Sequence, residues 1–158
     1  MFSALLVKGQ KKNDPIGDIR KQVQLINASK GMMVKVLNNE EFLDQMPDGG
    51  GELKAYFKNG RLVKVVEWIG SSSCTQTTEY YIQEGKLIFV YCSGKDFSYL
   101  KSGSTTSPKL VMECRFYYQN NQLLKSLIRG KTKCSDAPDK NWARQFSDSL
   151  LKYKKLLI

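Results

Sequence analysis

The 158-residue chain contains no histidine. That absence removes the usual general base, every Ser–His and Cys–His dyad, and the commonest metal ligand. No apolar run approaches the roughly 18 residues that a membrane-spanning helix needs. None of the four cysteines stands in a C-x-x-C pair, so a zinc site lacks its usual ligand spacing. Also missing are G-x-S-x-G, the phosphate-binding P-loop, H-E-x-x-H and the dinucleotide-binding G-x-G-x-x-G. Paired carboxylates could serve a glycosidase, as with Glu52 and Glu67, or Glu79 and Glu113. On hairpins such acids are normally solvated. The reading is therefore a non-enzyme with no catalytic residue, no metal and no cofactor.

Acidic residues are scarce as well: 15 Asp and Glu stand against 25 Lys and Arg, a net charge of +10. An excess of this sign favours anionic partners such as acidic glycans. The cations are spread along the chain, as on a solvated face. The densest runs are Arg129-Gly130-Lys131-Thr132-Lys133 and Lys152-Tyr153-Lys154-Lys155. Neither is interleaved with aromatics for base stacking, so nucleic acid is not an expected partner. With 41% hydrophobic and 25% charged residues, the composition is that of one folded domain.

Phe2 to Val7 is a short apolar run, and Val7 and Gly9 occupy the positions that precede a signal-peptidase cut before Gln10. Residues 1–10 read as the remnant of an export signal and residues 11–158 as a single domain. Export makes the even number of cysteines a disulfide framework. Cys74 and Cys92 flank one repeated unit, while Cys114 and Cys134 bracket the next. The expected pairing is local, 74–92 with 114–134. The nested alternative joins 92 to 114 and 74 to 134.

What the chain does have is one phrase written three times. Tyr56-Phe57-Lys58-Asn59-Gly60-Arg61-Leu62 aligns with Tyr81-Ile82-Gln83-Glu84-Gly85-Lys86-Leu87. Both align with Tyr117-Tyr118-Gln119-Asn120-Asn121-Gln122-Leu123. Each is a pair of alternating apolar runs about a two-residue turn, with Asn59-Gly60 the strongest hairpin signal. Uninterrupted alternation puts Phe57 opposite Leu62 and Tyr56 opposite Val63. It gathers Leu53, Phe57, Leu62, Val66, Trp68, Tyr80, Ile82, Leu87, Phe89, Tyr91, Phe116, Tyr118 and Leu123 on one core face.

Two helices are expected to flank this sheet. Asp14 caps a helix whose stripe is Ile16, Ile19, Val23 and Ile26. A second helix starts at Asp136 to Asp139 and carries Trp142, Phe146, Leu150, Tyr153 and Leu157. Met32 to Leu37 suits a short strand, and Glu40 to Gln45 a helical turn. The fold class is α+β: a six-stranded antiparallel meander of three hairpins flanked by an N-terminal and a C-terminal amphipathic helix.

Tyr56, Tyr81 and Tyr117 hold equivalent places and point away from the core face. Either the C-terminal helix or the long loop covers them, or they form an aromatic platform for a ligand. The Gly/Ser/Thr-rich link from Ser93 to Pro108 is the candidate functional loop, with Asp96, Tyr99 and Lys101 as further binding candidates.

The helix with Ile19, Arg20, Ile26 and Asn27, followed by the three turn units, resembles a group of secreted bacterial proteins of uncharacterised function. Those proteins carry an I-R-x-x-x-x-x-I-N helix before Y-F-x-N-G-x-L hairpins. The likeness covers about residues 16 to 130 and implies a fold and a periplasmic or extracellular location rather than a reaction. A weaker resemblance is to MORN-like repeat proteins, some of which act as toxin antidotes. The expected function is a secreted binding module for a glycan, peptide or envelope protein. The alternatives are an inhibitor or antidote working by protein contact, and a structural envelope component.

Overall fold

The computed structural model describes Gly9 and residues 12–158. The export-signal remnant read in residues 1–10 lies, Gly9 apart, outside the described residues. Helix α1 spans Pro15–Ala28. The Asp14 carboxylate accepts the Gly17 N–H at 3.0 Å, and Pro15 occupies the first turn, where its missing donor costs nothing. After α1 come strand β1 (Met33–Asn38) and the one-turn helix α2 (Asn39–Phe42). Asn38 and Glu41 form a reciprocal capping box that opens α2 and seats Phe42 in the core.

Six strands follow: β2 (Gly51–Lys58), β3 (Arg61–Gly70), β4 (Cys74–Gln83), β5 (Lys86–Asp96), β6 (Lys109–Gln119) and β7 (Gln122–Gly130). Helix α3 (Trp142–Leu157) closes the fold. The sheet has seven strands in chain order, all antiparallel. The α+β meander is as expected, but the six-strand count is corrected. The short strand at 33–38 pairs with β2 along its whole length, Met33 opposite Phe57 through Asn38 opposite Glu52. It satisfies backbone groups that β2 would otherwise leave open.

The three turns share one backbone. Asn59 and Gly60, Glu84 and Gly85, and Asn120 and Asn121 all have positive φ, between 50° and 76°. This is the two-residue hairpin turn whose twist matches the strands. Phe57 faces Leu62, Ile82 faces Leu87 and Tyr118 faces Leu123, as alternation requires.

One step further each hairpin breaks the alternation in the same way. Tyr56 pairs with Lys64, Tyr81 with Phe89 and Tyr117 with Lys125. Val63, Ile88 and Leu124 are therefore extra residues, one bulge per hairpin. A bulge turns every later residue of its strand to the opposite face. The expected core face is corrected accordingly. Val65, Val90 and Cys92 are buried on it, while Val66, Trp68, Phe89 and Tyr91 lie on the other side.

Each face has its own helix. On one, α3 inserts Phe146, Leu150, Tyr153 and Leu157 among Leu53, Phe57, Val65, Tyr80, Val90 and Phe116. Phe146 meets the edges of Tyr80 and Phe116 at ring distances of 6.1 and 5.2 Å. On the other, α1 lays Ile19 and Ile26 over Tyr81, Ile88, Phe89 and Tyr117.

The local disulfide pattern is also corrected. Cys74 bonds to Cys134, with Cα atoms 6.2 Å apart. Cys92 and Cys114 are unbonded and buried. The antiparallel register explains why: Cys74 faces Asp96 and Cys92 faces Thr78, so the two ends of that unit do not meet.

Candidate functional site

The pairings place Val34, Tyr56, Lys64, Tyr81, Phe89, Tyr117 and Lys125 in one row across all seven strands. The three tyrosines of the repeat thus share a row, on the side away from α3. Helix α1, rather than the C-terminal helix or the long loop, covers most of it. Tyr81 and Tyr117 are 2% and 3% exposed, and Tyr56 remains half-buried beyond the helix. Tyr81 donates its hydroxyl to Asn27 Oδ1 at 3.0 Å, and Lys64 Nζ reaches the same oxygen at 2.9 Å. Helix and sheet are pinned together there.

The loop candidates are held by other bonds. Asp96, at the end of β5, accepts the Lys133 N–H at 3.1 Å. Tyr99 donates to the Ser72 carbonyl at 2.8 Å while its ring stays exposed, and it bridges Thr105 within a small hairpin formed by the link. Lys101 is exposed at the turn of that hairpin.

Beyond α1, the same side of the sheet lies open as two further rows. One runs Val36, Lys54, Val66, Glu79, Tyr91, Arg115, Leu127. The next runs Asn38, Glu52, Trp68, Thr77, Ser93, Glu113, Arg129. From β2 to β6 these side chains are half-buried or exposed, with Trp68 at 36%. A flat strip of aromatic, hydroxyl and charged groups results. The paired-acid reading of Glu52 and Glu67 is corrected: Glu52 faces Trp68 on this strip, whereas Glu67 is buried under α3.

The charged groups on the strip, and Lys64 in the covered row that borders it, are ordered by their neighbours. Lys64 Nζ stands 3.0 Å from Glu79 and 4.9 Å from the centre of the Tyr81 ring. Burial alone would lower the Lys64 pKa; bonds to Tyr81 and Glu79 outweigh it and raise the pKa, so the ammonium is retained. Tyr91 donates its hydroxyl to Glu113 Oε1 at 3.1 Å, and Arg115 lies 5.1 Å over the Tyr91 ring. Partial burial, then the contact with Glu113, raises the Tyr91 pKa, which keeps the phenol protonated as a donor. Such a strip can stack a flat apolar ring on Trp68 and Tyr91 and offer polar partners of both signs around it.

Alternation assigned Trp68 and Tyr91 to the core, and Arg115 was not singled out. The clue lay in Leu62-Val63, Leu87-Ile88 and Leu123-Leu124. An adjacent apolar pair just after each turn breaks period two, as a bulge does.

An open cleft of about 1670 Å³ lies elsewhere, around the Asn59-Gly60 turn, between the last turns of α1 and α3. Among the described residues no cluster of His, Cys, Asp or Glu could hold a metal ion, and no helix is long and apolar enough to cross a membrane. No protein-family model, no curated protein and no solved structure matches the chain.

Proposed function

We propose that this chain is an exported, non-catalytic binding module that takes an anionic glycan on the open strip of Trp68, Tyr91 and Arg115. The observation that carries the reading is the half-exposed Trp68–Tyr91 surface on a rigid sheet. Aromatic faces bind sugar rings by apolar contact, and neighbouring Thr77, Ser93, Glu113 and Arg115 supply hydrogen bonds. The net charge of +10 favours a ligand with carboxylate or phosphate groups. The Cys74–Cys134 disulfide suits an oxidising compartment. The resemblance to secreted hairpin-repeat proteins points the same way.

The test is calorimetric titration with polygalacturonate, hyaluronan and teichoic acid. At least one should bind. Trp68→Ala and Tyr91→Ala should each weaken that binding by about tenfold while moving the melting temperature little, because both side chains are partly solvated. Failure of all three polymers to bind the wild-type chain would sink the proposal. So would loss of fold in both variants.

A further inference from the structure

Strand β7 ends the sheet, and among the described residues no strand pairs with its outer side. An open edge presents a row of backbone donors and acceptors. This edge also keeps its side chains in solvent: Leu124, Leu127 and Ile128 are about 40% exposed. Edges are usually blunted by a covering element, a proline, a bulge or charged side chains; of these β7 has the bulge at Leu124 and the charges of Lys125 and Arg129, which repel a basic strand and admit an acidic one. Between Gln122 and Gly130 there is no proline, and the chain after β7 turns back to the disulfide at Cys134.

The charge along this edge has one sign. Lys125 and Arg129 lie on β7, Lys131 and Lys133 follow it, and no carboxylate occurs from Gln122 to Ser135. Among the described residues neither Lys125 nor Arg129 forms an ion pair. At the turn end, Lys140 and Arg144 border a hollow of about 350 Å³ beside Leu123.

We propose that the β7 edge receives an extended acidic peptide segment as an eighth strand. Charge selects this occupant over a second copy of the chain. The charged residues of the two edge strands are Lys35 on β1 and Lys125 and Arg129 on β7, with no acid on either, so pairing edge to edge between copies brings like charges together. The register gives the pattern the segment must have. Lys125, Leu127 and Arg129 share the α1 side, and Ser126 and Ile128 share the α3 side. The incoming strand therefore carries acids opposite Lys125 and Arg129 and apolar residues opposite Leu127 and Ile128. Backbone bonds hold it, and the alternating side chains select it.

The probe is a fluorescent, acetylated and amidated heptapeptide with glutamate at its second and sixth positions and valine and threonine between them. Its anisotropy is titrated with the full chain. The peptide should saturate. Binding should fall by roughly tenfold or more in Lys125→Glu/Arg129→Glu and return when that variant meets a peptide with lysine in place of glutamate. Both substituted side chains are exposed, so the variant should keep its fold. N-methylation of alternate peptide bonds should abolish binding, and Trp68→Ala should leave it unchanged, which separates this edge from the glycan strip. No binding of the acidic peptide would overturn the proposal. Equal binding by wild type and charge-reversed variant, or a stable dimer of the free chain that leaves β7 occupied, would do the same.

Discussion

The hydroxyl of Tyr153, on α3, donates a hydrogen bond to the carboxylate of Glu67, on β3, inside the core. Glu67 is there because of the bulge at Val63, which turns it from the solvent side to the α3 side. Burial raises its pKa; the bond from Tyr153 and the charge of Lys152 pull the other way without cancelling the rise. The contact ties the C-terminal helix to the one strand position where, among the described residues, the core holds an ionisable carboxyl.

That arrangement sets a pH dependence. The native state holds the Glu67 proton more tightly than the unfolded chain does. The contribution to stability is therefore full below the unfolded carboxyl pKa and is lost as pH rises through the elevated native value. Glu67→Gln keeps an acceptor for Tyr153 and removes the charge. It should flatten this slope and match or exceed wild-type stability at pH 7. Tyr153→Phe leaves the carboxylate without its donor and should cost about 1–3 kcal/mol at pH 7, and less at pH 4, where the carboxyl is protonated. Urea melts of the three proteins across pH 4–8 check both outcomes. A wild-type slope equal to that of Glu67→Gln would refute the account.

The cysteines divide into a bonded pair and a silent pair. Burial pushes the Cys92 thiol up to about 12 and also raises that of Cys114. The thiolate is the reactive form, so neither should react with a thiol reagent in the native state. Two thiols should appear on unfolding without reductant. Replacing Cys74 and Cys134 by serine frees a loop of 60 residues, which should cost about 4 kcal/mol on the loop-entropy model. Thiol counting, peptide mapping and denaturant melts test these statements together. Four reactive thiols in the unfolded, unreduced chain would contradict the bridge.

Legibility in the sequence followed the range of the interaction. Asp14-Pro15 with its apolar stripe and the stripe of Phe146, Leu150, Tyr153 and Leu157 are local signals, and both helices form, α3 beginning at Trp142 rather than at residues 136–139. The three turns are local too. The bulges were less visible, because an adjacent pair such as Leu62-Val63 is also compatible with a strand buried on both faces. One extra residue in each strand, Val63 in β3 and Ile88 in β5, moves Trp68 and Tyr91 from the core to the surface and brings the site into view. The partner of Cys74 lies 60 residues away and is decided by how β7 leads back across the sheet, which no local pattern contains. The assignment of α1 to the tyrosine row likewise needs the whole sheet, since either amphipathic helix could cover either face.

The second turn offers a way to raise stability without touching core or strip. Glu84 adopts φ 51°, a left-handed conformation that glutamate tolerates poorly and asparagine tolerates better. Its equivalents are Asn59 in the first hairpin and Asn120 in the third, both with the same sign of φ. Substituting Asn recreates the Asn-Gly turn already used at residues 59 and 60. It should also leave the Gly85 carbonyl free to accept from Lys154 Nζ, the contact that holds the last turn of α3 to this hairpin. Glu84→Asn should therefore stabilise the fold by roughly 0.5–1 kcal/mol, the scale of a relieved backbone conformation. In a domain of this size that corresponds to an increase in Tm of about 1–4 °C. The matching change Asn59→Glu should lower Tm by a similar amount if backbone strain is the cause. A rise in Tm for Glu84→Asn with a fall for Asn59→Glu would support strain. The reverse, a fall for Glu84→Asn and a rise for Asn59→Glu, would mean that the change in surface charge on a chain of net charge +10, not the turn, governs the difference.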